Sequence, residues 1–341
     1  MQILSVAYPF APVRPDTAGG AEQVLAMLDR ALCKAGHRST VLACEGSQVH
    51  GDLLALPRTP GRLDEAARTE THRVWRSAIT DAVDRLKPDL VHLHGIDFPA
   101  YLPPPGVPVL ATLHLPPAWY DPAIFKLDRP ATWLNCVSHT QQNSCPATSN
   151  LVPFIANGVA EDLPRAGIRK CCFALGMGRI CPEKGWHLAF EAARAAAVPF
   201  LLAGQVYPYP EHESYFATDI LPRCNGQSRF IGTAGLNRKR RLLSSAKCML
   251  IPSLAPETSS LAAMEAAMCG TPVVAFRSGA LPEVVDDGVT GFLVDDEAGM
   301  ANAIRRCDEL KPEVCRNTAL ARFSANRMAS EYLDLYQRLT A

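Results

Sequence analysis

The sequence predicts an α/β protein built from two doubly wound parallel-sheet domains, and three observations support this fold class. Short apolar runs of strand length alternate with helix-like stretches from end to end, which is the pattern of βαβ units. The length of 341 residues is about twice that of a typical domain. A polar segment with two glycines and one proline, residues 157–170, interrupts this alternation, and predicted strands and helices alternate again after it.

Continuous apolar and β-branched runs predict strands buried on both faces of a parallel sheet, and amphipathic stretches between them predict the covering helices. In the first half, the predicted strands are Ile3–Ala7, Thr40–Ala43, Leu90–His94, Val109–His114 and Trp133–Val137, with helices near Ala21–Ala35 and Leu63–Leu86. In the second half, the predicted strands are Cys172–Met177, Phe200–Ala203, Arg229–Ile231, Cys248–Ile251 and Val273–Phe276, with helices between them.

The polar segment Asn157–Lys170 is the predicted linker, which separates an N-terminal domain at residues 1–158 from a C-terminal domain at residues 159–319. Apolar residues recur at helical spacing from Asn317 to Leu339, so we expect an amphipathic helix at about 320–341 to pack back on the N-terminal domain. If two doubly wound domains face each other, a ligand is expected in the cleft between them, at the carboxyl ends of the strands.

The composition argues against several classes of partner. The 34 basic residues balance the 34 acidic ones, which disfavours nucleic acid because binding to its phosphates needs excess Lys and Arg. No run approaches the roughly 18 apolar residues of a membrane span, so at most a peripheral membrane contact is expected. The N-terminal MQILSVAYPF has no basic start and no cleavage site, and it reads as a first strand. The twelve scattered cysteines indicate buried free thiols and a cytoplasmic location.

The segment PETSSLAAMEAAMCGTPVVAF, residues 256–276, predicts a loop, a short helix and a buried strand. Thr258 or Ser259 is the expected N-cap, and Gly270 is the expected C-cap. This otherwise apolar segment contains two glutamates. Glu257 precedes the predicted helix, and Glu265 follows eight residues later, about 12 Å along the helix axis.

The start of this helix is suited to an anion. The backbone N–H groups of Ser259, Ser260 and Leu261 have no partner within the helix, and a diphosphate fits such a group of donors. Glu257 and Glu265 would then accept hydrogen bonds from hydroxyl groups on either side, which is the layout of a nucleotide-sugar. The alternative from spacing alone is that both glutamates are solvated residues of a surface helix.

The first turn of the second half, GMGRICPEKGW, places Arg179 after a strand and Lys184 before the next helix. A guanidinium and an ammonium five residues apart are suited to grip a diphosphate and to neutralise charge on a leaving nucleotide. As isolated residues they are also compatible with solvated surface cations.

Three further positions in the first half are candidates. Gly19 and Gly20, in DTAGGAEQ between the first strand and the first helix, would let the backbone approach a ligand, although a plain turn also explains them. The spacing does not match G-x-G-x-x-G, which disfavours a dinucleotide. His114 ends a strand before two prolines, where an imidazole either faces the cleft or is structural.

Metal binding is weakly indicated. The H-x-H pair His92 and His94 has no further ligand cluster nearby in the sequence, and the chain contains no D-x-D pair to hold a metal-bound diphosphate. The basic run NRKRRLL, Asn237–Leu243, is expected to form a solvated helix face. Contact of this face with a membrane surface or an acidic substrate is the less favoured interpretation.

Taken together, these motifs resemble the retaining nucleotide-sugar glycosyltransferases of family four, which have the GT-B fold of two facing Rossmann-like domains. The resemblance rests on Glu257 and Glu265 in an E-x7-E motif followed by AAMCGTPVVAFRSGALPEVVDDGVTGFLV, and on GRICPEKG, ANGV and GGAE. The loop QVYPYPEHESYF, residues 205–216, departs from the family pattern and is expected to shape the pocket for the donor base or sugar.

The resemblance implies metal-independent transfer of a sugar, with retained configuration, from a UDP- or GDP-linked donor to a glycan, lipid-linked or small-molecule acceptor. It implies no cofactor, since the nucleotide-sugar is a co-substrate. Glu257 would bind hexose hydroxyls and Glu265 ribose hydroxyls, while Arg179, Lys184 and the N–H groups of Ser259 to Leu261 hold the diphosphate. Gly19 and Gly20 would line the phosphate and acceptor side, and His114 would contact the sugar near the reacting centre.

Three other functions remain open on the sequence alone. A nucleotide-sugar epimerase shares the two-domain fold and needs no acceptor. A binding or scaffold protein would keep the nucleotide-sugar site without catalysis. A metal hydrolase built on His92 and His94 would lose activity with a chelator.

Overall fold

The computed structural model describes residues 1–14, 17, 19–59, 63–164 and 168–341. These residues form two compact units, which are considered separately. Unit 1 comprises Met1–Asn157 and Asn326–Ala341, and unit 2 comprises Gly158–Ala325. Each unit is an α/β structure around one parallel sheet, which confirms the predicted fold class.

The sheet of unit 1 has seven parallel strands in the order β3-β2-β1-β4-β5-β6-β7. Its strands are β1 Gln2–Val6, β2 Arg38–Cys44, β3 Asp52–Leu56, β4 Leu90–Leu93, β5 Val109–Leu113, β6 Thr132–Cys136 and β7 Leu151–Val152. The order of the chain reverses between β1 and β4, so these strands flank the point at which α/β sheets bind ligands. The helices α1 Gly20–Lys34, α2 Glu65–Leu86 and α3 His139–Asn143 belong to the same unit.

The sheet of unit 2 has six parallel strands in the order β10-β9-β8-β11-β12-β13. Its strands are β8 Ala174–Arg179, β9 Phe200–Gln205, β10 Arg229–Phe230, β11 Cys248–Ile251, β12 Val273–Phe276 and β13 Gly291–Val294. Its helices are α4 Trp186–Ala195, α5 Pro210–Tyr215, α6 Leu236–Ser245, α7 Leu261–Met268, α8 Leu281–Val284, α9 Glu297–Arg306 and α10 Pro312–Phe323. This is the Rossmann strand order, and its reversal lies between β8 and β11.

The expected single C-terminal helix is two helices, α10 and the last helix α11 Ala325–Thr340. Ser324 separates them in an extended conformation and forms a parallel bridge with Val159. This pairing is a tertiary contact that helical periodicity cannot reveal. After the break, α11 packs its apolar face in unit 1, and the Tyr336 hydroxyl lies 2.7 Å from His92 Nδ1.

The segment Asn157–Lys170, predicted as a polar linker, is mostly packed against unit 2. Val159 and Leu163 are buried in the hydrophobic core that also contains α7, so the described part of this segment is not a free linker. Residues 165–167 lie outside the described residues. The two units meet in the chain at Asn157 and Gly158, and again at Ala325 and Asn326.

Every predicted strand coincides with an observed strand to within two residues at either end, but β3, β7 and β13 were not predicted. Strand β3 is a half-exposed edge strand, and β7 has two residues, so neither gives a strong apolar run. Strand β13 begins with Gly291, which resembles a turn residue. The glycine is needed there because a Cβ atom would lie 2.0 Å from the carbonyl oxygen of Val273 on the neighbouring strand.

All twelve cysteines are free thiols, and seven of them are buried. Cys171 and Cys172 are exposed, contrary to the expectation of burial. Among the described residues, no helix combines the length and the apolar character that crossing a bilayer requires.

Candidate active site

The candidate site of unit 2 lies where β8 and β11 end. Arg179 is the last residue of β8, and its carbonyl oxygen accepts a hydrogen bond from the Trp186 indole, 2.8 Å away. Gly185 then adopts a left-handed conformation with φ of 63° and precedes α4. A Cβ atom on Gly185 would lie 2.3 Å from the Pro252 carbonyl oxygen, so only glycine lets the loop after β8 approach the loop after β11 this closely.

Backbone hydrogen bonds hold these loops in place. Leu254 N–H donates to the Glu183 carbonyl oxygen over 2.8 Å, which joins the two loops. Ala280 N–H donates to the Glu257 carbonyl oxygen over 2.7 Å. Gly279, with φ of 56°, permits this second contact, because a Cβ atom there would lie 2.2 Å from the same oxygen. The main chain of Glu257 is therefore held by the loop after β12, and the segment that contains Glu257 is joined to the loop after β8.

Lys184 and Glu257 form an ion pair, with 2.5 Å between Lys184 Nζ and Glu257 Oε1. The Ser253 hydroxyl donates to the same carboxylate oxygen. Burial raises the pKa of Glu257, but the Lys184 ammonium, these two hydrogen bonds and the nearby Arg179 outweigh it, and the pKa lies below its usual value. Glu257 is thus an ionised carboxylate, able to accept hydrogen bonds from hydroxyl groups.

Arg179 is the available cation of this site. Its half-buried guanidinium has no hydrogen-bond or ion-pair partner within the part of the chain that the structure describes. It lies near enough to Glu257 to lower the pKa of that carboxyl group. Lys184, by contrast, is already paired with Glu257, so any anionic ligand must share Lys184 with that carboxylate.

The start of α7 differs from the expectation. The residue before the helix is Ser260, not Thr258 or Ser259, and it lies in the left-handed region at φ 59° and ψ 70°. No side chain caps the start of the helix, and the C-cap is Cys269 and not Gly270, which comes next with φ of 67°. The left-handed residue turns the chain into α7 in one step, which residue preference does not predict because serine seldom adopts this conformation.

The polar groups at this helix start lack protein partners. Among the described residues, the backbone N–H groups of Ser259, Ser260 and Leu261 donate to no acceptor. The Ser259 hydroxyl is buried and also unpartnered. Buried polar groups are normally satisfied, so this set of donors is suited to an anionic ligand.

Glu265 is buried on α7 and pairs with Lys239 of α6, with 2.5 Å between Glu265 Oε1 and Lys239 Nζ. Both side chains are less than a tenth exposed. The expectation that the run Asn237–Leu243 forms a solvated face is therefore wrong for Lys239. A signal was present in the sequence, since Lys239 shares its helix face with the buried Leu242 and Leu243, three and four residues later.

The other cations of this run behave as expected on a surface helix. Arg238 and Arg241 are exposed, and Arg240 pairs with Asp162 over 2.9 Å.

Gly19 and Gly20 lie in unit 1, where Gly19 is the residue before α1 and Gly20 is its first residue. A Cβ atom on Gly19 would lie 1.9 Å from Glu22 Oε2, so the carboxylate of Glu22 occupies the space that the glycine leaves. This is a packing reason for the glycine, which stands beside the proposed role in ligand binding. Asp16 and Ala18 of the same motif lie outside the described residues.

His114 follows β5 directly, and its Nε2 lies 3.0 Å from Nδ1 of His94, with the two rings stacked. Burial lowers the pKa of His114 to about 4, so at neutral pH its imidazole is uncharged. The Tyr120 hydroxyl accepts the His114 backbone N–H over 2.9 Å and holds the turn.

His92 is a core residue and not a free ligand. Its Nδ1 lies 2.7 Å from the Tyr336 hydroxyl, and its Nε2 lies 2.7 Å from the Thr112 hydroxyl. Burial lowers the pKa of His92 to about 3. Because both ring nitrogens are engaged, the pair His92 and His94 does not present two free imidazole nitrogens to a metal ion, which removes the geometric basis for a hydrolase there.

Sequence comparison supports the interpretation of both units. A profile described as Glycosyltransferase Family 4 matches residues 18–161, and a profile described as Glycosyl transferases group 1 matches residues 173–309. Each profile covers less than half of the chain, and both describe glycosyltransferases. Its two parallel-sheet units and its structural neighbours identify the architecture as the GT-B fold.

One curated relative of this GT-B chain is the D-inositol 3-phosphate glycosyltransferase of Saccharomonospora viridis, with 38% identity over 123 residues, 33% of this chain and 28% of the relative. The matched segments span between 22% and 41% of the lengths of the curated relatives compared.

Two solved GT-B structures superpose over nearly the whole chain. Sucrose-phosphate synthase from Thermosynechococcus elongatus has a TM-score of 0.81 at 20% identity, covering 99% of both chains. Anabaena HepE in complex with UDP-glucose has a TM-score of 0.74 at 19% identity, covering 98% of this chain and 100% of HepE. At these identities the likeness shows the fold.

Proposed function

We propose that this chain transfers a hexosyl group from a UDP- or GDP-linked sugar to an acceptor hydroxyl, with retention of configuration and without a metal ion at the diphosphate. One observation carries the proposal: Arg179, which has no partner among the described residues, ends β8, and the unpartnered N–H groups of residues 259–261 lie at the start of α7 after β11, at the reversal point of one sheet. Both are groups that bind phosphate.

The proposed roles follow from the chemistry of each group. Arg179, Lys184 and the start of α7 stabilise the negative charge that develops on the leaving diphosphate. Preorganised charges and dipoles of this kind are often the largest contribution to catalysis. Because the cations and N–H groups supply the positive field, no divalent cation is required at the diphosphate.

The two glutamates bind the hydroxyl groups on either side of the diphosphate. Glu257, ionised and held by Lys184, accepts hydrogen bonds from the donor hexose. Glu265 accepts hydrogen bonds from the ribose, and Lys239 is its ion-pair partner on α6. The HepE structure with UDP-glucose supports a nucleotide-sugar donor for this fold.

The residues of unit 1 keep the roles that the resemblance implies. Gly19 and Gly20 line the phosphate and acceptor side, and His114 contacts the donor sugar. Since His114 is uncharged at neutral pH, it acts as a hydrogen-bonding group and not as a cation. The acceptor is a glycan, a lipid-linked compound or a small molecule, and the inositol phosphate named for the curated relatives belongs to the last class. We place the reaction in a reducing cytoplasm, which agrees with twelve free thiols.

Calorimetric titration of UDP, GDP and ADP in the presence of a chelator tests the proposal. We expect one nucleoside diphosphate to bind to the full chain, the Arg179→Ala variant to weaken it by at least about tenfold, and the exposed Arg241→Ala variant to leave it unchanged. Absence of binding to all three nucleotides would contradict the donor site.

Product stereochemistry separates transfer from the alternatives. Incubation of the full chain with the matching nucleotide-sugar and candidate acceptors, followed by NMR of the anomeric proton, should show a new glycoside with the configuration of the donor. A donor isomerised at another carbon would support an epimerase. Tight binding without turnover would support a binding protein.

A further inference from the structure

A second cluster of polar side chains lies beside the proposed diphosphate site. Cys181 and Glu183 belong to the loop between β8 and α4, and His212 belongs to α5 in the Tyr- and Pro-rich segment after β9. One ligand atom from each residue lies within 4.8 Å of the other two. Cys181 and His212 are buried, whereas Glu183 is exposed. A thiol and a carboxylate from one loop thus converge with an imidazole from a helix that follows later in the sequence.

One ring nitrogen of the buried His212 has no hydrogen-bond partner within the described part of the chain, although buried polar atoms normally have one. His212 is 8% exposed, and its Nδ1 has no hydrogen-bond partner among the described residues. An unsatisfied buried polar atom is destabilising, and such atoms often mark the place of an ion or water. Burial lowers the pKa of His212, so the imidazole is uncharged and has a lone pair to donate.

We propose that Cys181, Glu183 and His212 bind a divalent zinc ion. Sulfur, nitrogen and carboxylate oxygen are the ligands that Zn²⁺ takes in proteins. The inference goes beyond the proposed function, because cation binding at these residues is measurable without donor or acceptor.

The charges around the cluster permit a divalent cation. Arg179 and Lys184 are positive and lie near Cys181, while Glu211 is negative and lies near His212. A Cys181 thiolate and the Glu183 carboxylate together neutralise the two charges of the ion, so the neighbouring cations face a neutral centre. Burial raises the pKa of Cys181 to about 11, and zinc therefore displaces a proton from the thiol as it binds.

The geometry needs a small adjustment. With zinc bonds of about 2.0–2.3 Å, the ligand atoms of a tetrahedral site are separated by roughly 3.5 Å, so the three side chains must close by at most about 1 Å. The Cys181 thiol donates to the Arg179 carbonyl oxygen over 3.8 Å and would exchange this weak contact for the ion, and the Glu183 side chain is exposed. Three protein ligands leave a fourth position for water.

Such an ion would tie the loop that contains Lys184 to the segment after β9. It would be a structural ion, separate from the metal-independent chemistry proposed at the diphosphate. The charge of Lys184 would then be positioned partly by a cation bound to Cys181 and Glu183 of the same loop.

Titration of the metal-free full chain with Co²⁺ and Zn²⁺ tests the site. We expect one equivalent of Co²⁺ to produce a thiolate-to-metal absorption band that Zn²⁺ abolishes. The Cys181→Ser variant should lose the band, and the His212→Gln variant should bind at least about 100-fold more weakly. A Cys171→Ser/Cys172→Ser double variant, which removes the two exposed thiols, should bind as the wild type does.

The site is overturned if the band persists in Cys181→Ser, or if it disappears in the Cys171→Ser/Cys172→Ser control. Because Cys181 and His212 are buried, circular dichroism must show that their variants are folded. Glu183→Gln, at an exposed position, provides a variant that keeps the fold, and it should weaken binding by at least about tenfold. Unchanged binding in a folded Glu183→Gln variant removes the carboxylate from the site and contradicts the three-ligand proposal.

Discussion

At the scale of single residues, Arg179 combines a fixed main chain with a guanidinium that has no partner among the described residues. Its carbonyl oxygen is held by Trp186, while its side chain contributes positive charge near Glu257. A cation in this position adds little to folding because it satisfies no protein acceptor. We expect the Arg179 guanidinium to contribute mainly by electrostatic attraction to a negatively charged ligand.

Replacing Arg179 with alanine should therefore separate catalysis from stability. We expect donor turnover by Arg179→Ala to fall by about 100- to 1000-fold, the usual effect of removing one group that stabilises transition-state charge. The free energy of unfolding should change by less than about 0.5 kcal/mol. Steady-state kinetics and urea denaturation measure the two quantities, and Arg241→Ala is the exposed control. Near-normal turnover in a folded Arg179→Ala variant contradicts the role.

The buried pair Lys239 and Glu265 behaves differently, because each charge depends on the other. The Glu265→Ala variant leaves an ammonium buried without compensation, and we expect it to lower the free energy of unfolding by about 3–5 kcal/mol. Loss of nucleotide binding in that variant would then be ambiguous.

A double variant resolves the ambiguity. Lys239→Met/Glu265→Leu replaces the ion pair with apolar groups of similar size, which is often neutral for stability. We expect urea denaturation to show that the double variant recovers most of the stability lost in Glu265→Ala. Calorimetry should show that it does not recover nucleoside-diphosphate binding. Normal binding by the double variant would remove Glu265 from the ribose site.

At the scale of elements, the loop between β8 and α4 is shaped by Gly185. The sequence predicts this loop and places Lys184 in it, but the approach to Pro252 is a contact with another loop. A Cβ atom at Gly185 would force the two loops apart and would separate Lys184 from Glu257.

The Gly185→Ala variant should therefore lose stability and ligand binding together. We expect a decrease of about 1–3 kcal/mol in the free energy of unfolding, because alanine is strained at a φ of 63° and clashes with the Pro252 carbonyl. Gly226→Ala is the matched control, since a Cβ atom there meets nothing within 4 Å. Urea denaturation and calorimetry provide the readouts. Equal behaviour of the two variants contradicts the argument.

At the scale of the whole molecule, the chain returns to unit 1 through α11. The Tyr332 hydroxyl donates to Asn135 on β6 over 2.8 Å, and the Tyr336 hydroxyl contacts His92 on β4. The first and last segments of the chain thus share one core. His92, His94 and His114 lie in this unit, and burial is the main reason that the pKa of each is lowered.

This cluster predicts acid sensitivity. Unfolded His92 takes up a proton as the pH falls below about 6.5, whereas the folded residue does so only at about 3. The unfolded state therefore binds more protons between these values, and the free energy of unfolding falls as the pH falls. Urea denaturation between pH 7 and pH 4 measures the slope, which should be shallower by up to about one proton in His92→Gln. An unchanged slope contradicts the linkage.

The sequence predicted most strands of both sheets because continuous apolar runs are local signals. It missed β3, a half-exposed edge strand without a continuous apolar run. It also missed β13, because this strand begins with Gly291, and the need for glycine there comes from a close contact with the neighbouring strand. It also predicted one C-terminal helix where Ser324 pairs with Val159, a contact between residues far apart in the chain. The sequence identified the charged residues of the candidate site, but it did not predict that Lys239 is buried and forms an ion pair with Glu265.

By itself, the sequence determined two parallel α/β sheets and the presence of Arg179, Lys184, Glu257 and Glu265 near strand ends, since periodicity and spacing are properties of the chain. The tertiary structure decided which charges meet. Lys184 and Glu257 are 73 residues apart and Lys239 and Glu265 are 26 apart, and each pair forms because packed loops or helices bring the two side chains together. Among the described residues Arg179 has no ion-pair partner, because the nearby Glu257 carboxylate is paired with Lys184.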